Sequence, residues 1–397
     1  RRHTRCLSVW SSDVCSSDLQ AKDLFGESTG VPALIRPLQG MYAPASTFKS
    51  ISIVAASKAG YNLNAKYDCP ASVQVGNREF KNFETSPLGM ITMQNAIAVS
   101  CDTVWYKIAY DQWIKDGGLS PKSSANDYFF NAARSFNIGK KTGIDLPGEA
   151  SGRLPDRQWK LDYYKQNKDF YCNFTQKAKK SDLTPYLIAI AKENCTDGYI
   201  IRAGDAVNFS IGQGDTLLTP LQMTVVYAAV ANGGTLWKPY VARAIVDSKG
   251  KVIKEFAPEI VGKTEQTPSD TEFLHKALRS VATSGTAAGV FAGFPVQVAG
   301  KTGTGQDLGR NKNGSAKDDT SWFASFAPAD SPQYAVVMVV SQGGFGASVS
   351  APGVKDIYTT LFGVVGGKID PTKSAFPNGI PNTLPKLDVK NAKLVTK

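Results

Sequence analysis

The stretch "YAPASTFKSISIVAASKAG" (residues 42–60) decides how the rest of the chain is read. Ser46 and Lys49 stand three residues apart, the spacing that puts two side chains on one face of a helix. Pro44 suits a helix start and Gly60 a helix end. Between them Ile51, Ile53, Val54, Ala55 and Ala56 leave almost no polar face, so this helix is expected to be buried. A lysine on the first turn of a buried helix is desolvated, which lowers an amine's pKa and helps make it a neutral base. A serine beside such a lysine is a candidate nucleophile that needs no histidine. A second Ser-x-x-Lys, Ser248 to Lys251, lies in "AIVDSKGKVIKEF", which reads as a β-hairpin turning at Gly250 with no buried helix behind it.

Downstream, "MQNAIAVSCDTVWYKIAYDQW" (93–113) spaces its apolar residues as one helix to about Val99 and another from Thr103 through Trp113. Ser100 and Asp102 fall at the break, with Asp102 at the N-cap of the second helix. Two readings stand: a capped turn between helices, or a short loop that points both side chains into one cleft. Ser124-x-Asn126 repeats the spacing only in a polar surface loop. Lys-Thr-Gly occurs twice. Lys141-Thr142-Gly143 runs into a Pro-Gly loop, whereas Lys301-Thr302-Gly303 follows the alternating strand "FPVQVAG" and precedes Thr304 and Gly305. The two apolar runs in "TSWFASFAPADSPQYAVVMVVSQGG" (320–344) then complete three consecutive strands joined by short loops, an antiparallel sheet. Lys301 on such a strand can hold a substrate carboxylate, and the Thr304 N–H can face the same site.

The totals exclude several alternatives. The 397 residues are 42% hydrophobic and 20% charged, values of a folded globular protein. The formal charge of +11 suits a polyanionic neighbourhood such as nucleic acid, an acidic membrane face or an anionic cell wall. No stretch approaches the roughly 18 apolar residues of a membrane span. Only His3 and His275 occur, so a Ser-His-Asp triad, a Cys-His pair or a multi-histidine metal site would have to rest on His275. That residue lies in "TEFLHKALRSVA", an amphipathic helix, where a surface role is expected. There is no CxxC, and no metal site is expected. Residues 1–19 end in "SVWSSDVCSSDL", one back-translation of which resembles the tail of a sequencing-library adapter, so they are expected to be an artefactual segment. Without Arg1, Arg2, Arg5, Asp13 and Asp18 the charge is still +10, and four cysteines remain: Cys69, Cys101, Cys172 and Cys195.

Ser46-x-x-Lys49, Ser100-x-Asp102 and Lys301-Thr302-Gly303, in that order, form the trio described for penicillin-binding proteins and serine β-lactamases. "NIGKKTGIDLPGE" (137–149), "SIGQGDTLLTPLQM" (210–223) and "SAPGVKDIYTTLF" (350–362) further resemble the class B penicillin-binding proteins, above all the penicillin-binding protein 2 type. The resemblance covers about residues 30–365. It implies a serine-type D,D-transpeptidase that cross-links peptidoglycan stem peptides ending in D-Ala-D-Ala, with possible carboxypeptidase side activity. It also implies acylation of Ser46 by β-lactams. Carried over, Ser46 is the nucleophile, Lys49 takes its proton, Ser100 relays a proton to the departing D-Ala, and Asp102 orients Lys49 and the substrate amide. Lys301 and Thr302 bind the terminal carboxylate, while the N–H groups of Ser46 and Thr304 form the oxyanion hole. Asp102 stands where this motif more commonly has Asn, and a carboxylate there would tend to keep Lys49 charged. No cofactor is implied. The intact protein is expected at the extracytoplasmic face of the cell membrane behind an N-terminal anchor and pedestal that this chain lacks, with a SEDS-type glycosyltransferase as partner.

The fold implied is α+β: a five-stranded antiparallel sheet with helices on both faces, and a mainly helical lobe across the cleft. The transpeptidase domain is expected over residues 20–365, with a helical insertion at about 157–200 and a disordered tail over 366–397. The insertion interleaves lysines with Trp159, Tyr163, Tyr164, Phe170 and Tyr171, but no nucleic-acid-binding signature accompanies them, so nucleic acid is not an expected partner. Cys172 and Cys195 lie inside it, either free or, outside the cytoplasm, bonded to each other. Cys101 reads as packing. Rival readings are a serine β-lactamase, since "PASTFK" resembles class D enzymes, and a β-lactam sensor that acylates without turnover.

Overall fold

The computed structural model describes residues 31, 33–83, 85–307, 309, 311, 314–379, 386–388 and 393–395; the expected artefactual segment 1–19 lies outside them. Ser46 lies on a 3-10 helix, Ala45–Phe48, that runs directly into α1, Lys49–Lys58. Strands β1 (Lys66–Cys69) and β2 (Gly89–Thr92) pair antiparallel and lead into α2 (Met93–Ala98) and α3 (Thr103–Lys115). The segment 157–200 carries α4 (Arg157–Cys172) and α5 (Pro185–Asp197). Helices α6 (Pro220–Ala231) and α7 (Pro268–Thr283) precede strands β3 (Ala299–Gly305), β4 (Thr320–Ala327) and β5 (Tyr334–Val340), and α8 (Ser350–Phe362) follows them.

Strands β3, β4 and β5 form an antiparallel sheet with β4 in the middle, pairing Phe323 with Thr302 and Ser325 with Val336. All eight residues of β4 are buried, because helices cover both faces of the sheet. On one face Trp322 meets the edge of Tyr42 and Phe326 packs against His275 of α7, 4.8 Å between ring centroids. On the other, Phe323 stacks on Phe291, the Ser321 hydroxyl pairs with Ser350 Oγ at 2.8 Å, and that of Ser325 pairs with the Tyr358 hydroxyl at 3.0 Å. Those two hydroxyl pairs tie α8 to the sheet and match each buried hydroxyl with another. Complete burial of Trp322, Phe323 and Phe326 contributes about 2–3 kcal/mol each. His275 is half-buried rather than at the surface, because its ring fills space over Phe326 and its Nε2 lies 3.4 Å from Val230 O.

Three strands are described in this sheet where five were expected. The remaining strands are two to four residues long and pair off in separate two-stranded ribbons. One of them, Val252–Glu255, is exposed at every position, so it has no apolar face to offer a doubly covered sheet.

In the helical lobe α1 is the hub. Ile51, Ile53, Val54, Ala55 and Ala56 are all 0% exposed, and the buried Ser52 hydroxyl donates to Ser210 O at 2.6 Å. Gly60, at φ +84°, ends the helix as the sequence predicts. The segment 157–200 differs in kind: α4 buries no residue and α5 only Ala191, and each helix is capped by its own residue, Asp156 or Thr184. A Cys172–Cys195 disulfide closes this hairpin. Beyond α8, residues 366–379 form turns and two-residue strand pairing, and the strands Lys386–Asp388 and Lys393–Val395 pair with each other.

Candidate active site

Two left-handed residues shape the Ser46 side of the cleft. Ala45, directly before Ser46, has φ +50°, and Ser100 has φ +60°. Conformations of this kind cost on the order of 1–3 kcal/mol and persist only where the surroundings impose them. At Ala45 the backbone N–H is held by Gly212 O at 2.9 Å. At Ser100 the reversal between α2 and α3 lets residues i and i+2 face one cleft, which a continuous helix would forbid. Lys49 Nζ donates to Asp102 Oδ1 at 2.6 Å, Ser100 O at 2.9 Å, Ser100 Oγ at 3.2 Å and Cys101 O at 3.3 Å. Ser100 Oγ in turn donates to Ser46 Oγ at 3.0 Å. The amine therefore reaches Ser46 Oγ through Ser100; a direct Ser46–Lys49 bond is not among the described hydrogen bonds. Burial pushes the Lys49 pKa below its ordinary value, while the charge and hydrogen bond of Asp102 oppose that fall.

The opposite wall is β3. Lys301 is 0% exposed and donates to Thr302 O at 3.3 Å. Burial first, and then the charge of Lys49, hold its pKa well below the ordinary lysine value, with Asp102 acting the other way. A buried amine so poorly partnered gains from an incoming anion, whose charge favours its protonated form. At Gly303 a Cβ would lie 3.1 Å from Pro44 O and from Thr47 Cγ2, so a neighbour would have to give by a few tenths of an ångström; at Gly305 it would lie 2.6 Å from Ala43 O, a clash with backbone. The two bare positions let the Ser46 segment lie flat on the strand. Thr302 Oγ1 pairs with Thr286 Oγ1 at 2.7 Å. Gln213 Nε2 donates to Thr304 O at 3.2 Å, and Gly212 beside it accepts from Ala45, so the Thr304 carbonyl is turned toward the Ser46 segment. In a strand the N–H of the same residue points to the same side.

Ser46, Lys49, Ser100 and Asp102 are thus joined by one hydrogen-bonded chain, with Lys301 facing them on the strand that carries Thr302, Gly303 and Thr304. The duplicate motifs fall elsewhere. Ser248 and Lys251 sit at a hairpin turn, and Ser124 and Asn126 lie in a loop. The Thr142 and Gly143 amides of the other Lys-Thr-Gly are pinned by the Glu149 carboxylate at 2.6 and 3.1 Å. Sequence reading missed Asn82, Gln213 and Thr286, each polar and each acting from a distant loop. It also missed the Cys69–Cys101 disulfide, which ties β1 to the residue between Ser100 and Asp102. The even set of four cysteines was the available signal: once Cys172 pairs with Cys195, the other two are left for each other.

A sequence model described as the penicillin binding protein transpeptidase domain matches residues 16–359. The peptidoglycan D,D-transpeptidase MrdA of Acinetobacter baumannii is 28% identical over 339 residues, 80% of this chain and 42% of that protein. The chain spans less than half the length of this curated relative. Pseudomonas aeruginosa PBP2, solved in complex with WCK 5153, superposes with a TM-score of 0.65 at 24% identity, over 89% of this chain and 66% of the other. The penicillin-binding protein PBP2 of Helicobacter pylori, solved in complex with MreC, gives 0.63 at 23% identity, over 86% and 54%.

Proposed function

The chain belongs to the penicillin-binding protein transpeptidase family, and from that premise we propose that it is a serine-type peptidoglycan D,D-transpeptidase of the elongation type. The single observation that carries the reading is the chain Lys49–Ser100–Ser46 placed opposite a buried lysine that has no carboxylate partner among the described residues. A stem peptide ending in D-Ala-D-Ala would dock its terminal carboxylate on Lys301 and Thr302. Ser46 Oγ then attacks the penultimate D-Ala carbonyl and gives its proton to neutral Lys49, directly or through Ser100. The oxyanion collects the N–H groups of Ser46 and Thr304, each worth on the order of 100- to 1,000-fold in rate. The bond to the last D-Ala breaks, and Ser100 hands the proton to the departing amine. The amine of a second stem peptide opens the ester, forms the cross-link and restores the Ser46 hydroxyl. A β-lactam enters the same sequence and stops at the ester.

Residues 20–365 make up this transpeptidase unit in our reading, with the 157–200 hairpin as an insertion. We place its work at the extracytoplasmic face of the cell membrane, where the two disulfides are stable. Among the described residues no helix is long and apolar enough to cross a membrane. A SEDS-type glycosyltransferase is the proposed partner, and the Helicobacter complex adds an MreC-type protein.

The test follows the Ser46 acyl-enzyme over time with a fluorescent penicillin, together with transfer of a D-Ala-D-Ala donor onto an amine acceptor. A stable adduct plus D,D-transfer is the expected result. Release of the adduct within seconds points to a β-lactamase, and a stable adduct without transfer to a sensor.

A further inference from the structure

Asp102 occupies the N-cap position of α3, yet its side chain makes no cap hydrogen bond and its backbone, at φ −87° and ψ −35°, is already helical. An aspartate at this position ordinarily turns its carboxylate onto the N–H groups of the first helical turn. Here the carboxylate goes to Lys49 instead. Asn82, on the loop after the strand Arg78–Lys81, takes over part of the missing cap. Its Oδ1 accepts from the Asp102 N–H at 2.7 Å and from the Thr103 N–H at 3.0 Å. Its Nδ2 donates to Pro70 O at 2.7 Å and Thr103 Oγ1 at 3.2 Å, which fixes the orientation of the amide. Asn82 is only 8% exposed, and its own N–H is held by Ala71 O at 2.9 Å. The Cys69–Cys101 disulfide passes beside it, with Nδ2 3.5 Å from Cys69 Sγ.

We propose that Asn82 is a positioning residue: it serves the start of α3 in place of Asp102 and so keeps the Asp102 carboxylate on Lys49. This rests on the reading of the site given above. Without the Asn82 oxygen, the N–H groups at the start of α3 lose their acceptor, and the nearest carboxylate able to turn toward the helix is that of Asp102. Lys49 then loses its counter-charge, and the relay to Ser46 loses its alignment.

The test measures the titration of the Lys49 amine by NMR of selectively labelled lysine, assigned with Lys49→Arg. The charged groups facing Lys49 are Asp102 on the loop and Lys301 on β3. In Asn82→Ala the Lys49 midpoint is expected to move to lower pH, because Asp102 no longer favours the ammonium. In an Asp102→Ala background the same Asn82→Ala change is expected to leave that midpoint where it was. Acylation of Ser46 by a fluorescent penicillin should fall on the order of 100-fold in the single variant, the usual effect of a slightly misplaced catalytic group. An unmoved midpoint in folded Asn82→Ala, or an equal shift with Asp102 absent, overturns the proposal. Asn82→Ser, which keeps a short acceptor, is run in parallel. It is expected to give a smaller shift in the same direction, and it decides the matter if Asn82→Ala does not fold. The titration does not depend on the enzyme's activity, so failure of the transpeptidase reading and failure of the Asn82 proposal remain distinguishable.

Discussion

Lys49 and Lys301 are both fully buried, lie on opposite walls of one cleft and differ in what surrounds them. Lys49 has four oxygen acceptors, one of them a carboxylate at 2.6 Å. Lys301 has a backbone carbonyl at 3.3 Å. Burial lowers both pKa values, but Asp102 bonds directly to Lys49 alone. A buried charge without a partner is costly, whereas a paired one is costly only when its partner is taken away. The fold therefore finishes one of these sites and leaves the other for a ligand to finish.

The sharpest way to break this contrast is to remove each amine while keeping its bulk. Lys49→Met takes away the proton carrier and strands the Asp102 carboxylate. Acylation by a fluorescent penicillin should fall by about 1,000-fold or more, near the upper range for a general base, and the melting temperature should fall with it. Retained acylation would remove Lys49 from the mechanism. Lys301→Met should weaken acylation by about 10- to 100-fold, the worth of a charge-assisted hydrogen bond to the substrate, mostly as weaker binding. Here the melting temperature should rise, because an unpaired buried cation is gone; a fall would mean that Lys301 is already satisfied in the free protein.

Smaller effects sharpen the comparison. Asp102→Asn removes the charge that raises the Lys49 pKa, so the amine becomes neutral at lower pH. The rising limb of acylation against pH should move toward acid, and an alkaline move would contradict the pairing. The last effect is on stability. Both amines lose their protons at lower pH in the folded chain than the ordinary 10.5, so the unfolded chain binds more protons in the window between. Stability should therefore rise with pH through the lowered pKa values and on toward about pH 10. Urea unfolding midpoints measured across that range should rise less steeply with pH in Lys301→Met and in Lys49→Met than in the unchanged chain, because each variant removes one amine whose pKa burial lowers.

Local pattern made the frame of this site legible. The apolar run after Ser46 announced a buried helix and the break at Ser100 announced a loop, and the structure has both. The strand that carries Lys301 is there too, but it begins at Ala299, after most of the alternating run that announced it. What stayed hidden depends on chain segments far apart in sequence. Nothing near Asp102 indicates that Asn82 will hold its amide, and nothing near Thr304 points to Gln213. The route from Lys49 to Ser46 through Ser100 likewise depends on the left-handed turn at Ser100, which no periodicity encodes. The described residues show three of the five expected strands; short strand-forming runs look alike in sequence, whether they join a covered sheet or stand in an exposed ribbon.

Gly303 and Gly305 set a limit on how this protein can change under selection. Any side chain at either position meets the backbone of residues 43–44, the segment leading to Ser46. On the function proposed above, a lineage exposed to acylating drugs therefore gains bulk on that face of β3 only by shifting the segment that leads to Ser46, most of all at Gly305. Resistance by steric exclusion is left to Thr302, Thr304 and the loops at the rim, where a larger side chain would also crowd the natural substrate.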